Sequence, residues 1–164
     1  MVAVIDIDGT IFNTLARQEA CSSITGDEPF STERWYECFT DPDGLSLDVQ
    51  VRDAGMTIEV LAKKFTVIYL TGRPERMRVA TTQQLEEFRF PLSISLIMQK
   101  DEESQFPENT LKFKQKELEK ILKFLPIDVL VDDRSDIVTM AKKMGICSFR
   151  VPPWKRVLTW AWRS

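Results

Sequence analysis

At 164 residues, with 43% hydrophobic and 29% charged side chains, the chain is long enough to bury a core of its own and is read as one domain. It contains no histidine, which excludes histidine triads, histidine-held zinc and phosphohistidine chemistry, so acid–base work must fall to carboxylates or lysines. The net charge of −3 hides an asymmetry: residues 1–50 are acid-rich, whereas 137–164 hold six Lys and Arg and no acid, a composition equally suited to a solvated helix face and to a phosphate-rich partner.

The first strand is expected at 2–5, a short apolar run that ends in Asp6-Ile7-Asp8-Gly9-Thr10. Two carboxylates two positions apart on an extended chain point the same way and can grip one hard cation, and Gly9 permits a sharp turn behind them. A long connection, 12–63, follows. It holds a helix pattern around 13–23, an aromatic cluster at Phe30, Trp35, Tyr36 and Phe39, a turn at Asp41-Pro42-Asp43-Gly44, and the end of a helix at 58–64. An insertion of this size over a sheet edge is usually a lid or substrate wall, so 13–60 is taken as a small helical cap; the plainer alternative is that Trp35 and Phe39 fill a satellite core.

A second strand at 66–70 ends in Thr71-Gly72-Arg73-Pro74, and a helix over 75–90 opens after that proline. Then come a strand at 93–97, and a helix over 111–124 with apolar residues at 111, 113, 118, 121, 122 and 125. The fourth strand, 128–131, ends in Asp132-Asp133-Arg134. A helix over 135–144 starts at a serine and stops at Gly145, the fifth strand is 146–149, and 154–164 is a tail bearing Trp154, Trp160 and Trp162. Strands alternating with helices predict an α/β fold, a three-layer, Rossmann-like sheet of five parallel strands with helices on both faces. In such sheets ligands sit at the carboxyl ends of strands, where all three motifs fall.

Cys21, Cys38 and Cys147 are odd in number and widely spaced, which argues against a disulfide or a zinc site and for plain core thiols. The N-terminus lacks a basic region and a long apolar segment, and no stretch approaches the roughly 20 apolar residues that cross a bilayer. A cytoplasmic protein with no membrane partner and no obligatory protein partner is expected.

In order and spacing the three strand-end motifs resemble those of the haloacid dehalogenase superfamily of phosphatases. The resemblance implies that Asp6 is the nucleophile, forming an aspartyl-phosphate, and that Asp8 is the general acid and later the base that activates water. It implies a hydroxyl from Thr71 and a backbone N–H from Gly72 at the phosphoryl oxygens, with Arg73 and Lys100 as substrate-binding cations; an ion pair is the equal alternative for Arg73. The pattern of an apolar residue followed by lysine is best met by Phe113-Lys114, with Lys112 the fallback. The metal set is Asp6, Asp8, Asp132 and Asp133, with Asp132 the more direct ligand, and an oxygen-only site beside a phosphate favours Mg²⁺. The segments Ile97-Met98-Gln99-Lys100, Phe113-Lys114, and Val131 to Val138 with Met140 and Met144-Gly145-Ile146 look like the phosphatase domains of phage polynucleotide kinases. That implies a 3′-phosphate on a nucleic-acid end or nucleotide as substrate, the partner being at most a short single strand. The family's arginine-rich segment before the lysine is acidic here, at 101–109, which argues against extended backbone contact. A phosphatase of a small metabolite such as a sugar phosphate, and a non-enzymatic receiver-like phosphoacceptor, stay open as alternatives.

Overall fold

The computed structural model of the protein describes residues 1–92, 95–101 and 106–164. In chain order the elements are β1 (Val2–Ile5), β2 (Phe12–Asn13), α1 (Leu15–Thr25), α2 (Glu33–Phe39), a 3-10 turn (Pro42–Leu47), β3 (Val49–Gln50), α3 (Ala54–Ala62) and β4 (Thr66–Pro74). A 3-10 turn (Glu75–Met77) leads into α4 (Arg78–Glu87), followed by β5 (Ser95–Gln99), α5 (Pro107–Leu122), β6 (Val129–Asp132), α6 (Ser135–Lys143), β7 (Ser148–Arg150) and α7 (Lys155–Arg163). Residues 93–94 of the expected third strand and 102–105 of the acidic stretch lie outside the described residues.

Five parallel strands form one sheet in the order β5-β4-β1-β6-β7, with β1 at the centre. Strand periodicity sorts its side chains into two layers. Ala3 and Ile5, with Val67, Tyr69, Val129 and Val131, meet Ala54, Ile58 and Leu61 of α3, Leu85 of α4, and Val157 and Ala161 of α7. Val2 and Val4, with Ile68, Leu70 and Leu130, meet Phe113 and Leu118 of α5 and Ile137, Val138 and Ala141 of α6 on the other face. The three-layer α/β fold expected from the sequence is therefore the one observed. Each fully buried aliphatic side chain contributes roughly 1.5–3 kcal/mol, so a one-residue slip of β1, which would exchange the two layers, is strongly disfavoured.

The long insertion leaves and rejoins this frame through the antiparallel β2–β3 ribbon, Phe12 opposite Gln50. Its outer part is built on α1 and α2, where Trp35, Tyr36 and Phe39 pack with Cys21, and its returning helix α3 joins the sheet layer. Here the cysteine expectation is overturned. Cys21 and Cys38 form a disulfide with Cα atoms 5.6 Å apart, and Cys147 is exposed. Sequence separation is silent on helix packing: once the indole N–H of Trp35 donates to Ser22 Oγ at 3.0 Å, α1 and α2 lie close enough for their cysteines to meet.

Two boundaries differ from expectation in ways that matter for the site. Strand β4 continues to Pro74 because its pairing with β5 shifts register between Thr71 and Pro74, an irregularity that re-aims the intervening side chains. The tail is a helix against the core: Trp154 is buried and its indole N–H donates to the Thr10 carbonyl at 3.1 Å, while Trp162 is 71% exposed. Among the described residues no helix is long and apolar enough to cross a membrane.

Candidate active site

Neighbouring strands β1 and β6 end side by side, with the Asp6 N–H donating to the Val131 carbonyl at 3.0 Å. This brings Asp6 next to Asp132 and Asp133; one carboxylate oxygen from each of the three lies within 4.8 Å of the others. Helix α5 inserts Lys114, only 2% exposed, whose Nζ lies 2.6 Å from Asp6 Oδ1 and 2.7 Å from Asp132 Oδ2. The remaining oxygens are also held: Thr10 Oγ1 donates to Asp6 Oδ2 at 2.9 Å, and the Arg134 N–H donates to Asp132 Oδ1 at 2.9 Å. Gly9 is required twice over, because its φ is +76° and a Cβ there would lie 2.5 Å from Asp133 Oδ2.

Burial, outweighing Lys114 and reinforced by Asp132 and Asp133, pushes the Asp6 carboxyl up to about 8. Burial and the neighbouring Asp132 raise Asp133 to about 6. Burial opposes the charge on Lys114, but Asp132 and Asp6 outweigh it and hold the ammonium above the usual lysine range. Three clustered carboxylates against one ammonium leave surplus negative charge on hard oxygen donors, and a divalent cation of the Mg²⁺ type fits that donor set.

Asp8 stands apart from this cluster. Its side chain is gripped by two buried arginines: Arg73 from the β4 irregularity places Nε 2.9 Å and NH2 2.7 Å from its two oxygens, and Arg17 of α1 places NH2 at 2.5 Å. Burial alone would raise this carboxyl, but the two guanidiniums hold it well below the usual carboxylate range. Behind them lies Asp48, its side chain fully buried, 3.0 Å from Arg17 Nε and 3.3 Å from Arg73 NH2. Burial, partly offset by Arg17, keeps the Asp48 carboxyl above its ordinary range. Arg17 also donates to the Phe39 carbonyl at 3.0 Å and lies over the Phe39 ring, 4.1 Å from its centroid.

A cavity of about 360 Å³ opens over Asp6, Asp8, Asp133 and Lys114. Thr71 and Gly72 line it from β4. A Cβ on Gly72 would come within 2.8 Å of the Thr110 side chain, so this close approach of β4 to α5 needs glycine. The opposite wall is the insertion, through Phe30, Tyr36 and Phe39, with Arg134 beside them. The Tyr36 hydroxyl is buried, has no hydrogen-bond partner, and is pushed up to about 12 by its burial.

Of the residues expected at the site, Asp6, Asp8, Thr71, Gly72, Arg73, Lys114 and Asp133 all line this cavity, and Asp132 lies directly behind it on Lys114. Lys112 is exposed, as the solvated face of α5 requires. Lys100 is exposed at the end of β5 and does not line the cavity. Arg17, Asp48 and the Tyr36 hydroxyl were missed. Arg17 carried a faint signal, being the only cation before residue 34 and lying close after an acid pair; Asp48 carried none.

A parallel α/β sheet with clustered acids and a buried lysine at its strand ends is the frame of a phosphoryl-handling hydrolase. Residues 1–153 match the family model of the haloacid dehalogenase (HAD) superfamily, subfamily IIIB (acid phosphatase), and the chain belongs to that family. Solved structures share the fold: a chain of the Pnkp1/Rnl/Hen1 complex has TM-score 0.63 and 20% identity over 92% of this chain and 44% of that one. A haloacid dehalogenase-like hydrolase from Streptococcus pneumoniae has TM-score 0.62 and 10% identity over 98% and 90%. A subfamily IA HAD hydrolase from Geobacter sulfurreducens has TM-score 0.58 and 15% identity over 92% and 89%. The protein thus spans less than half the length of the Pnkp1/Rnl/Hen1 chain that it matches. No curated protein matches its sequence.

Proposed function

We propose that the protein is a Mg²⁺-dependent phosphomonoesterase working through an aspartyl-phosphate on Asp6, and that it removes a 3′-phosphate from a polynucleotide end or a nucleotide. The observation that carries this reading is the Lys114 ammonium bridging Asp6 and Asp132 beside a cavity whose far wall is aromatic. The residues that would hold the cation are Asp6, Asp132 and Asp133; when bound it screens the charge of the phosphoryl group from the attacking carboxylate. The Asp8 side chain, expected in this set, faces its two arginines instead and keeps the proton-transfer role.

Lys114 and Thr10 orient the Asp6 carboxylate toward the cavity. An Asp6 oxygen forms a bond to phosphorus as the bond to the ester oxygen breaks, and the alcohol leaves with a proton supplied at Asp8, which takes that proton up from solvent once its carboxyl turns away from Arg17 and Arg73. Water then attacks the phosphoryl group, gives its proton to Asp8 and releases inorganic phosphate. Thr71 and the Gly72 N–H meet the phosphoryl oxygens. Arg73 serves the substrate through Asp8, and Lys100 is left for the backbone of a strand.

The insertion, read as the cap of a single catalytic domain over 13–60, supports a nucleoside. Phe30, Tyr36 and Phe39 offer ring faces, on which base stacking is worth about 1–3 kcal/mol, and the free Tyr36 hydroxyl offers a polar contact that a small sugar phosphate would leave unused. The likeness in fold to a chain of the Pnkp1/Rnl/Hen1 RNA repair complex is in keeping with this reading. In the cytoplasm, the location that belongs to this reading, thiols are kept reduced, so the Cys21–Cys38 bond would form there only under oxidising conditions. The test is a turnover panel of 3′-phosphorylated oligonucleotides, mononucleotides and sugar phosphates, with Mg²⁺ and then with chelator. Preference for the nucleotides and loss of turnover with chelator are expected; preference for sugar phosphates would overturn the substrate assignment.

A further inference from the structure

Asp48 is buried more completely than the chemistry so far explains. It lies between the 3-10 turn and β3, at the root of the insertion, 40 residues after Asp8. A carboxylate with no exposed side-chain surface is costly unless it is paired, and Asp48 is paired with the same two arginines that hold Asp8. Gln84 of α4 completes the arrangement: its side-chain N–H donates to Asp48 Oδ2 at 3.1 Å and to the Leu45 carbonyl at 3.2 Å, and its oxygen accepts from Arg73 NH1 at 2.8 Å. The result is a closed set of two guanidiniums and two carboxylates, supported by an amide, joining the insertion to β4 and α4.

The geometry of Asp8 makes this set consequential. To serve a leaving group in the cavity, the Asp8 carboxyl must turn away from the fork that Arg17 and Arg73 form around it. With no other acceptor, that turn would strand two buried guanidiniums, and such an unpaired buried charge costs about 3–5 kcal/mol. We propose that Asp48 is a positioning residue for the reaction: it remains the partner of Arg17 and Arg73 while Asp8 turns toward the ester oxygen, so that the arginines release Asp8 without leaving their places. This rests on the reading of Asp8 as the proton-transfer residue. It makes the insertion part of the catalytic frame, since the residue that frees Asp8 comes from the chain segment that also walls the cavity.

The test compares kcat/KM for an alkyl ester, thymidine 3′-monophosphate, with that for p-nitrophenyl phosphate, whose leaving group needs no proton. Wild type, Asp8→Asn, Asp48→Asn and Gln84→Ala are measured together. Asp8→Asn is expected to lower the alkyl-to-aryl ratio by about 100-fold or more, the worth of a general acid. Asp48→Asn is expected to lower the same ratio about tenfold, and Gln84→Ala, which removes a partner of Asp48 and one acceptor of Arg73 while making no contact with Asp8, about threefold. If Asp48→Asn does not fold, as judged by its thermal melt, the Gln84→Ala ratio decides. Equal losses on both esters in the Asp48 and Gln84 variants, with Asp8→Asn still selective, would overturn the role of Asp48 alone. An Asp8→Asn variant with an unchanged ratio, or wild type inactive on both esters, would instead remove the underlying reading of the site.

Discussion

The ammonium of Lys114 lies 2.6 Å from a carboxylate oxygen of Asp6, a residue 108 positions earlier in the chain. Both groups are buried, and the pair forms only when α5 packs on the sheet beside the end of β1. It ties the candidate nucleophile to the strongest positive charge in its surroundings, and the chemistry proposed for Asp6 is tested most directly by removing each partner in turn.

Asp6→Asn is expected to fold and to lose turnover. An amide at this position retains the shape but supplies no anionic oxygen to bond with phosphorus. Initial rates with any accepted phosphate ester should fall well below about one hundredth of wild type, since loss of acid–base help alone accounts for roughly that factor. A variant above that level would show that Asp6 is not the nucleophile.

Lys114→Ala is expected to cost far more activity than Lys112→Ala. The first removes the counter-charge of Asp6 and Asp132, whereas Lys112 is exposed on the same helix. Breaking a buried charge pair from one side typically costs about 3–5 kcal/mol, so Lys114→Ala should also melt earlier, and Mg²⁺ should recover part of the difference. A crippled Lys112 variant with an intact Lys114 variant would place the catalytic lysine two positions wrongly, on the opposite face of the helix.

The metal-free protein should lose stability as pH rises from about 5 to 8. An acid whose folded pKa is raised binds its proton more tightly in the native state, so its contribution is fully present below the unfolded value of 3.8 and drains away as pH climbs to the folded value. Asp6, at about 8, and Asp133, at about 6, both drain in this window. Asp8 has the opposite sign, but its contribution is lost only when pH falls below the ordinary carboxylate range, outside the window. Thermal melts in chelator should therefore fall between pH 5 and 8, each kcal/mol being about 2–4 °C in a protein of this size, and added Mg²⁺ should raise the melt most at pH 8. A melt in chelator that climbs over this interval would contradict the charge surplus assigned to the cluster.

How much of this was legible in the residues follows from distance along the chain. Asp6, Thr71 and Asp132 each end an apolar run, and a run of that kind in an alternating α/β pattern can only be a buried parallel strand, so strand ends and acids came together. Lys114 was legible only through the resemblance, whose pattern of an apolar residue followed by lysine is met best by Phe113-Lys114; the helical stripe left Lys112 open, and burial separates the two. The β4 irregularity that turns Arg73 onto Asp8 has no local cue, and the substrate contact and the ion pair were equal readings until the register was seen. Asp48 and the Cys21–Cys38 bond were invisible for a shared reason: both depend on how the insertion folds back over β2 and β3, and a two-residue ribbon leaves almost no periodic signature.

Reducing Cys21–Cys38 should lower the melting temperature. The bond closes a loop spanning 17 residues, for which chain entropy gives about 3 kcal/mol. Because α1 carries Arg17 and α2 carries Tyr36, the loss should be accompanied by a higher KM for nucleotides. A paired Cys21→Ser, Cys38→Ser variant measured beside the dithiothreitol-treated protein is the check; melts unchanged in both would show that packing of the aromatic cluster alone holds the two helices.

The last expectation concerns how far a nucleic-acid substrate extends beyond its terminal phosphate. Each backbone phosphate neutralised on a single strand adds about −0.7 to the slope of log affinity against log salt. The cations placed to supply such contacts are few. Arg17 and Arg73 are consumed by Asp8 and Asp48, and Lys114 by Asp6 and Asp132. Arg134 lines the cavity while paired with Asp136, Arg76 pairs with Asp101, and Lys100 stands exposed at the end of β5. One to three contacts are therefore expected, giving a slope between about −0.7 and −2 for a 3′-phosphorylated oligonucleotide. Oligonucleotides longer than a few residues should gain nothing over short ones. Competition by non-cleavable oligonucleotides of graded length, measured across a salt series, resolves the matter. A slope steeper than about −3, with affinity rising steadily with length, would require a basic groove that these residues do not provide and would relocate the binding surface to the cationic face of 142–163.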